Sequence, residues 1–363
     1  MFEIIFTIVI VVYAIQSIIF VLGVQKEYPK IKEDELTSIT VIVACRNEEK
    51  NILRCLTALD ELEYPKDKLE IIIVDDNSTD QTGAIIDEFI VGKPKFNKIV
   101  TCKEIENLRG KTNALANALE IAKGEIILTT DADCAVSKTW AKTIASYYTE
   151  NVAVVNGFTP QENQDHFSGM QNLDFLYLLT VSAGTINFNT PLSCMGNNMS
   201  YRKSVYDEVG GYQNLSFSVT EDFNLLMAIH SLKKYKIIYP LDKESSVVSK
   251  PCTKISELYH QKKRWAVGGL KAPLMGFLVV ATGFITHLMI ILSFFFLSST
   301  TIVLTFFKIL IDYLLLLHVS QKLENQKSMK YFLTFEFYYL IYVALLPFAV
   351  LFNQNVHWKG RKY

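Results

Sequence analysis

The sequence has little of what marks several special classes of protein. Its six cysteines (Cys45, Cys55, Cys102, Cys134, Cys194 and Cys252) form no C-x-x-C pair, which argues against a zinc site or a disulfide framework. They fit small buried residues of a reducing compartment. Charge is nearly balanced, at −1, so no basic surface stands ready for nucleic acid. Neither an internal repeat nor a low-complexity tract is visible. The first apolar run has no basic leader and no evident small-residue cleavage site, which disfavours a secretory signal. What the chain has in quantity is apolar character: 50% of its 363 residues are hydrophobic and mean hydropathy is +0.21. The excess lies near the two ends, and the middle has an ordinary α/β composition. The length allows one large domain or two small ones with ample core.

Ile4 to Val24 is long and apolar enough to cross a bilayer. Lys26, Lys30 and Lys32 follow at once, which by the positive-inside tendency puts the next segment in the cytoplasm. The run reads as an uncleaved anchor with its amino terminus outside. The soluble part begins with a strand at Ile39–Ala44, which ends at Asn47 and Glu48, and a helix at 52–62 follows. The stretch Ile71 to Asp80 then organises the rest. Its β-branched run suits a strand buried on both faces of a parallel sheet. It stops at Asp75 and Asp76, followed by Asn-Ser-Thr-Asp, a group of turn and capping residues. Acids are thus delivered to the carboxyl edge, where open α/β sheets bind ligands. An acidic helix cap is the plainer alternative, and Asp80 and Thr82 read as caps only.

A helix at 82–91 and a short strand at 97–101 lead to Arg109-Gly110-Lys111, before a helix at 112–122. A cation at a helix N-terminus opposes the dipole and is placed to meet an anion such as a diphosphate; a solvated surface lysine is the alternative. Glu125–Thr130 forms another strand, ending in Asp131-Ala132-Asp133. Two acids one residue apart point the same way if the chain stays extended, and like charges so close call for a cation between them. Hard oxygen ligands suit Mg2+ or Mn2+, which leave positions open for phosphate oxygens. The alternation of strands and helices predicts a doubly wound, mostly parallel α/β sheet with a nucleotide-type pocket along its edge.

The series VIVACRNEE, IIIVDDNSTD, GKTNALANAL, TTDADC, TEDFNL and QKKRW, in this order, resembles the membrane-bound family 2 glycosyltransferases with the GT-A fold. Cellulose, chitin and hyaluronan synthases and ceramide glucosyltransferases belong to that group. The likeness spans roughly residues 38–270. It implies that Asp76 hydrogen-bonds a uracil ring, that Glu48 and Lys111 line the nucleotide pocket, that Asp131 contacts the nucleotide, and that Asp133 holds the metal. It further implies that Asp222, in Thr220-Glu221-Asp222, is the general base, and that Gln261, Arg264 and Trp265 hold the diphosphate and close over the acceptor end. An inverting, in-line displacement is implied with them. Trp265 followed by an apolar run is equally an interfacial tryptophan.

The expected division is an anchor at 1–25, a cytoplasmic GT-A domain at 36–270, membrane helices at 271–354 and a basic tail at 355–363. Leu173–Ile186 is apolar but too short to span, so it is either interfacial or a buried core helix. Pro273–Phe296 and Thr301–Val319 are each long enough to cross, and Lys308 and Asp312 sit four apart inside the second, so they can pair. Tyr331–Phe352 is a further apolar run, read as re-entrant or interfacial so that the basic tail returns to the catalytic side; Trp358-Lys359-Gly360-Arg361 resembles a feature of lipid-directed members. Three or four spans leave little material for a polymer channel. The expectation is therefore transfer of one sugar from a nucleotide-sugar, a UDP-sugar as the resemblance implies, to a lipid acceptor in a bacterial inner membrane. The alternatives are a processive polysaccharide synthase and, from other classes, a silent scaffold or a nucleotidyltransferase.

Overall fold

The computed structural model describes all residues except Cys102, Lys103, Glu106, Asn107, Lys271, Asn353, Val356, Lys359, Gly360 and Tyr363. The chain forms two compact units: residues 1–26, 161–193 and 251–363 make one, and residues 27–160 and 194–250 make the other. It begins in the first with α1 (Phe2–Val24). It then builds most of the second with β1 (Ile39–Cys45), α2 (Ile52–Asp60), β2 (Leu69–Asp75), α3 (Thr82–Ile90), β3 (Phe96–Val100), α4 (Lys111–Ile121), β4 (Ile126–Asp131), β5 (Ala135–Val136), α5 (Trp140–Ser146) and β6 (Val152–Asn156). It returns for α6 (His166–Ile186), then goes back for β7 (Met199–Arg202), α7 (Lys203–Glu208), α8 (Glu221–Ser231), β8 (Lys236–Ile238) and β9 (Val247–Val248). It finishes with α9 (Ile255–Gly269), α10 (Leu274–Ser293), α11 (Ser299–Lys322) and α12 (Phe332–Phe352). Residues 161–193 and 251–270, which the sequence alone groups with the catalytic domain, thus cluster with the apolar helices.

In the sheet unit, seven strands run in the order β3-β2-β1-β4-β7-β6-β8. The pairs β1–β2, β2–β3, β1–β4 and β6–β8 are parallel, while β7 runs antiparallel to both neighbours. The α/β expectation holds, with one reversed strand that periodicity does not reveal. Val41, Val43, Ile71 and Ile73 are fully buried in a core closed by α2, α3 and α5, which is why these strands read as unbroken apolar runs.

Among the described residues, four segments are long and apolar enough to cross a membrane, all in the helical unit: Phe2–Val24, Leu274–Ser293, Ser299–Lys322 and Gln326–Phe352. In the last, residues 332–352 form one continuous helix with Pro347 inside it; prolines are tolerated in such helices where neighbours satisfy the freed carbonyl. The undecided segment at 173–186 is the second half of α6, a 21-residue helix buried on nearly every face. Its polar first half, capped by Asp165, hides it from a hydropathy reading: the Asp165 carboxylate accepts from the Ser168 N–H at 2.7 Å. Where α6 meets α1, a Cβ on Gly23 would come within 2.2 Å of the Gly184 carbonyl oxygen, so glycine is what permits so close a crossing. Of the tail, Lys359 and Gly360 lie outside the described residues.

Candidate functional site

Strand register sets the site. Cys45 of β1 pairs with Asp75 of β2, and Ala44 with Asp131 of β4, so acids from both neighbours end level with the tip of β1. β2 and β3 lie to one side of β1 and β4 to the other, which makes this edge the switch point where α/β sheets bind ligands. The turns leaving β1 and β2 both pass through an asparagine in the left-handed region, Asn47 at φ 52° and Asn77 at φ 54°, a conformation asparagine tolerates. The two turns are clipped together. The Asn47 N–H donates to Ser78 Oγ at 3.0 Å, and Asn47 Oδ1 accepts from the Thr79 N–H at 2.8 Å.

This clip brings Glu48 and Asp76, both buried, to one edge. The Glu48 carboxylate accepts from Asn51 Nδ2 at 2.8 Å, and the Asp76 carbonyl accepts from Arg46 at 2.8 Å. Asp75 is committed to its own turn, accepting from the Ser78 N–H at 2.9 Å. Asp80, expected to be a cap, stands one residue ahead of Gln81, the N-cap of α3, and braces the turn into that helix. It accepts from the Thr82 N–H at 3.0 Å, the Thr82 hydroxyl at 2.5 Å and the Glu49 N–H at 3.2 Å.

Lys111 opens α4 directly after Gly110, whose φ of 57° suits glycine. Its Nζ lies 2.6 Å from Asp131 Oδ1 and 3.3 Å from Glu221 Oε1. Burial pulls this ammonium down, but Asp131, Glu221 and Asp222 together hold it above its ordinary value. The anions it meets are the protein's own, a pairing across the sheet that helix-terminus reasoning does not supply.

The Asp131-Ala132-Asp133 segment does not stay extended. The Cys134 N–H donates to the Asp131 carbonyl at 3.0 Å, closing a turn. Asp131 takes the Lys111 ammonium, which is the cation its charge called for. Asp133 Oδ1 accepts from the Cys134 thiol at 3.4 Å, and its carbonyl accepts from Arg54 at 3.0 Å. Among the described residues no group of three His, Cys, Asp or Glu side chains is placed to hold an ion. One carboxylate, or two, does fit Mg2+ or Mn2+ that takes its remaining ligands from phosphate and water; it does not fit a cation caged by protein alone.

Asp222 sits in the first turn of α8. Its Oδ1 accepts from the Phe223 N–H at 2.8 Å and its Oδ2 from the Gly196 N–H at 2.6 Å. Burial, and then the neighbouring Glu221 carboxylate, push it up to about 6 against the pull of Lys111 and the two backbone donors. The Gly196–Asn198 turn that holds it is itself fixed on several sides. Thr129 Oγ1 donates to the Gly196 carbonyl at 2.7 Å, Trp140 Nε1 to Asn198 Oδ1 at 2.9 Å, and Asn198 Nδ2 to the Phe158 carbonyl at 2.9 Å. Thr129 and Trp140 escape sequence reasoning because a strand threonine and a core tryptophan carry no local mark of this task.

The structure therefore links Lys111, Asp131, Glu221 and Asp222 in one cluster, with Glu48 and Asp76 on the adjoining strand ends and Asp133 on the turn after β4. Gln261, Arg264 and Trp265 lie on α9 in the helical unit. There the Trp265 ring stacks on Phe175 with centroids 5.5 Å apart and planes 14° from parallel.

Two family descriptions match the chain: Glycosyl transferase family 2 over residues 40–210 and Glycosyl transferase family group 2 over residues 126–353. A beta-monoglucosyldiacylglycerol synthase of Nostoc is 30% identical over 269 residues, covering 71% of this chain and 54% of that protein. A poly-beta-1,6-N-acetyl-D-glucosamine synthase of Staphylococcus aureus is 30% identical over 263 residues, covering 69% and 58%. The chain spans about half the length of the curated relatives it matches. A mannosyltransferase from Pyrobaculum calidifontis, solved with GDP-Man and Mn2+, superposes with a TM-score of 0.61 at 19% identity, covering 93% of this chain and 98% of that one. That likeness establishes the GT-A fold. With a matched family spanning residues 126–353 and this sheet edge beneath it, the chain belongs to the family 2 glycosyltransferases.

Proposed function

We propose that the protein moves a sugar, with inversion, from a UDP-sugar to a lipid acceptor in the membrane, with the sheet unit facing the cytoplasm. The observation that carries this reading is Asp222: a carboxylate pushed up to about 6 at the edge of the Lys111 cluster. Such a group is ionised at neutral pH and still basic enough to accept a proton from a hydroxyl. Each of its oxygens accepts one backbone N–H, which leaves lone pairs for an acceptor. In the reaction, the acceptor oxygen forms its bond to the anomeric carbon as the carbon–oxygen bond to the diphosphate breaks. The hydroxyl proton passes to Asp222.

Glu48, Asp76 and Lys111 bind and orient the nucleotide, Asp131 contacts it while holding Lys111 in place, and Gln261, Arg264 and Trp265 engage the diphosphate and the acceptor end. Mg2+ or Mn2+ on Asp133 would neutralise charge on the leaving diphosphate. A lipid acceptor is favoured by the likeness to the glucosyldiacylglycerol synthase, together with four helices able to cross a membrane. The equal identity to the poly-N-acetylglucosamine synthase supports a second reading, a processive polysaccharide synthase.

The test is a screen of UDP-sugars against a total lipid extract, with the detergent-purified protein and Mn2+ or Mg2+, read by mass spectrometry. One lipid gaining a single sugar mass is the expected result. A ladder of sugar masses would favour the polymer reading, and no UDP released from any donor would overturn both.

A further inference from the structure

The QKKRW segment lies on α9, and α6 holds that helix from beneath. Three α6 residues spaced at i, i+3 and i+4 share one face: Gln171, Asp174 and Phe175. Gln171 clamps the backbone just ahead of α9: its Nε2 donates to the Cys252 carbonyl at 3.1 Å and its Oε1 accepts from the Cys252 N–H at 2.9 Å. Asp174 is ion-paired with Lys262, and both are almost wholly buried, at 1% and 4% exposed. Phe175 stacks on Trp265. From the other side, α12 adds Tyr338, whose hydroxyl donates to Asp174 at 3.4 Å. The Lys262 ammonium lies 4.5 Å from the Trp265 ring centroid and 5.2 Å from that of Tyr342.

We propose that Asp174 is a positioning residue for the transfer reaction: by fixing Lys262, it sets the rotation of α9 and hence where Gln261, Arg264 and Trp265 point. A buried ion pair is a poor source of stability, because desolvation offsets its attraction. What such a pair does supply is a single geometry, since a charge with one buried partner cannot slide to another without great cost. Lys262 and Trp265 are three apart and both are gripped, so α9 is fixed about its axis as well as along it. The α6 stripe is the ruler against which the motif is read. This rests on the proposed role of Gln261, Arg264 and Trp265 at the diphosphate and acceptor end.

The full-length protein in detergent tests the idea with Asp174→Asn, Asp174→Glu and the charge-free double variant Asp174→Leu/Lys262→Met. Expected for Asp174→Asn is a kcat lowered by ~10²-fold, the scale of a small misplacement of reacting groups, with UDP affinity weakened by a smaller factor because Arg264 also engages the diphosphate. Asp174→Glu is expected to regain most of the rate. The double variant is expected to melt like the wild type and remain slow. A double variant, or an Asp174→Asn protein, turning over at the wild-type rate would reduce the pair to packing and overturn the proposal. The Trp265 fluorescence, taken as the difference from Trp265→Phe, supplies a readout independent of turnover. It is expected to shift in position and in quencher access in Asp174→Asn, where Lys262 stays beside the ring, and an unchanged signal there overturns the proposal too. A wild type that releases no UDP from any donor fails the functional reading instead, and the fluorescence still decides the positioning.

Discussion

Two lysines in this molecule each sit between carboxylates, in opposite surroundings. Lys111 faces Asp131 and Glu221 at a strand edge, with side chains 19%, 36% and 11% exposed. Lys308 faces Asp312 and Glu336 among the apolar helices, at 2.8 Å from each, with Lys308 and Asp312 sealed from solvent at 1% and 0%. The Tyr13 hydroxyl donates to Asp312 at 2.6 Å and shares a 2.8 Å hydrogen bond with Tyr177. The second cluster thus joins α1, α6, α11 and α12, and its charges are paired within the protein. The first is built from the same residue types but opens on one side. Similar chemistry becomes a lock where it is closed off and a candidate reaction centre where it is not, and accessibility decides between the two.

Substitution should separate these roles. The largest effect is expected from Asp222→Asn, which removes the base: transfer should fall by ~10²–10⁴-fold while UDP binding, measured by titration calorimetry, stays nearly intact. Parallel losses of rate and affinity would speak against a base acting only in the chemical step. Lys308→Met strands two buried acids, and breaking such a pair typically costs about 3–5 kcal/mol, so a clear drop in melting temperature is expected. An unchanged melting curve would show that the helices do not depend on the lock.

Lys111→Met should do the converse, sparing the fold and altering the pH profile. The wild-type rate should fall about tenfold per unit as pH drops below about 6, where Asp222 takes up a proton. Lys111 pulls that carboxyl down, so its removal should move the acid limb to higher pH; a profile fixed in place would uncouple the two groups. Smallest of all, Asp80→Ala should cost about 1 kcal/mol, as lost turn hydrogen bonds do, and leave nucleotide affinity alone. Loss of affinity would mean that Asp80 does more than brace its turn.

The sequence carried the sheet well because its signals are local. Ile71–Val74 and Ile126–Thr130 are strands by composition, and the acids at their ends sit level because β1 lies between them. The Lys308–Asp312 pair was equally legible, being four residues apart on one helix. What stayed hidden depends on distant partners. Nothing near Glu336 or Tyr13 says that each reaches the same buried ammonium or its acid, and nothing near Asp131 says that Lys111 will neutralise it. The turn through Ala132 ends the strand directly after Asp131, which a reading of the chain as extended does not supply. α6 was half missed because its burial comes from surrounding helices and not from its own composition.

The interleaving of the two units along the chain has a consequence for biosynthesis. β7 lies between β4 and β6, so the sheet emerging from the ribosome must wait with an unfilled gap until residues 199–202 arrive. By then α6, a member of the other unit, has already been made. The edges of β4 and β6 are therefore exposed during synthesis, at the stage when unpaired strands are most prone to go astray. No contiguous excision isolates either unit, since each lacks part of itself in any single stretch of the gene.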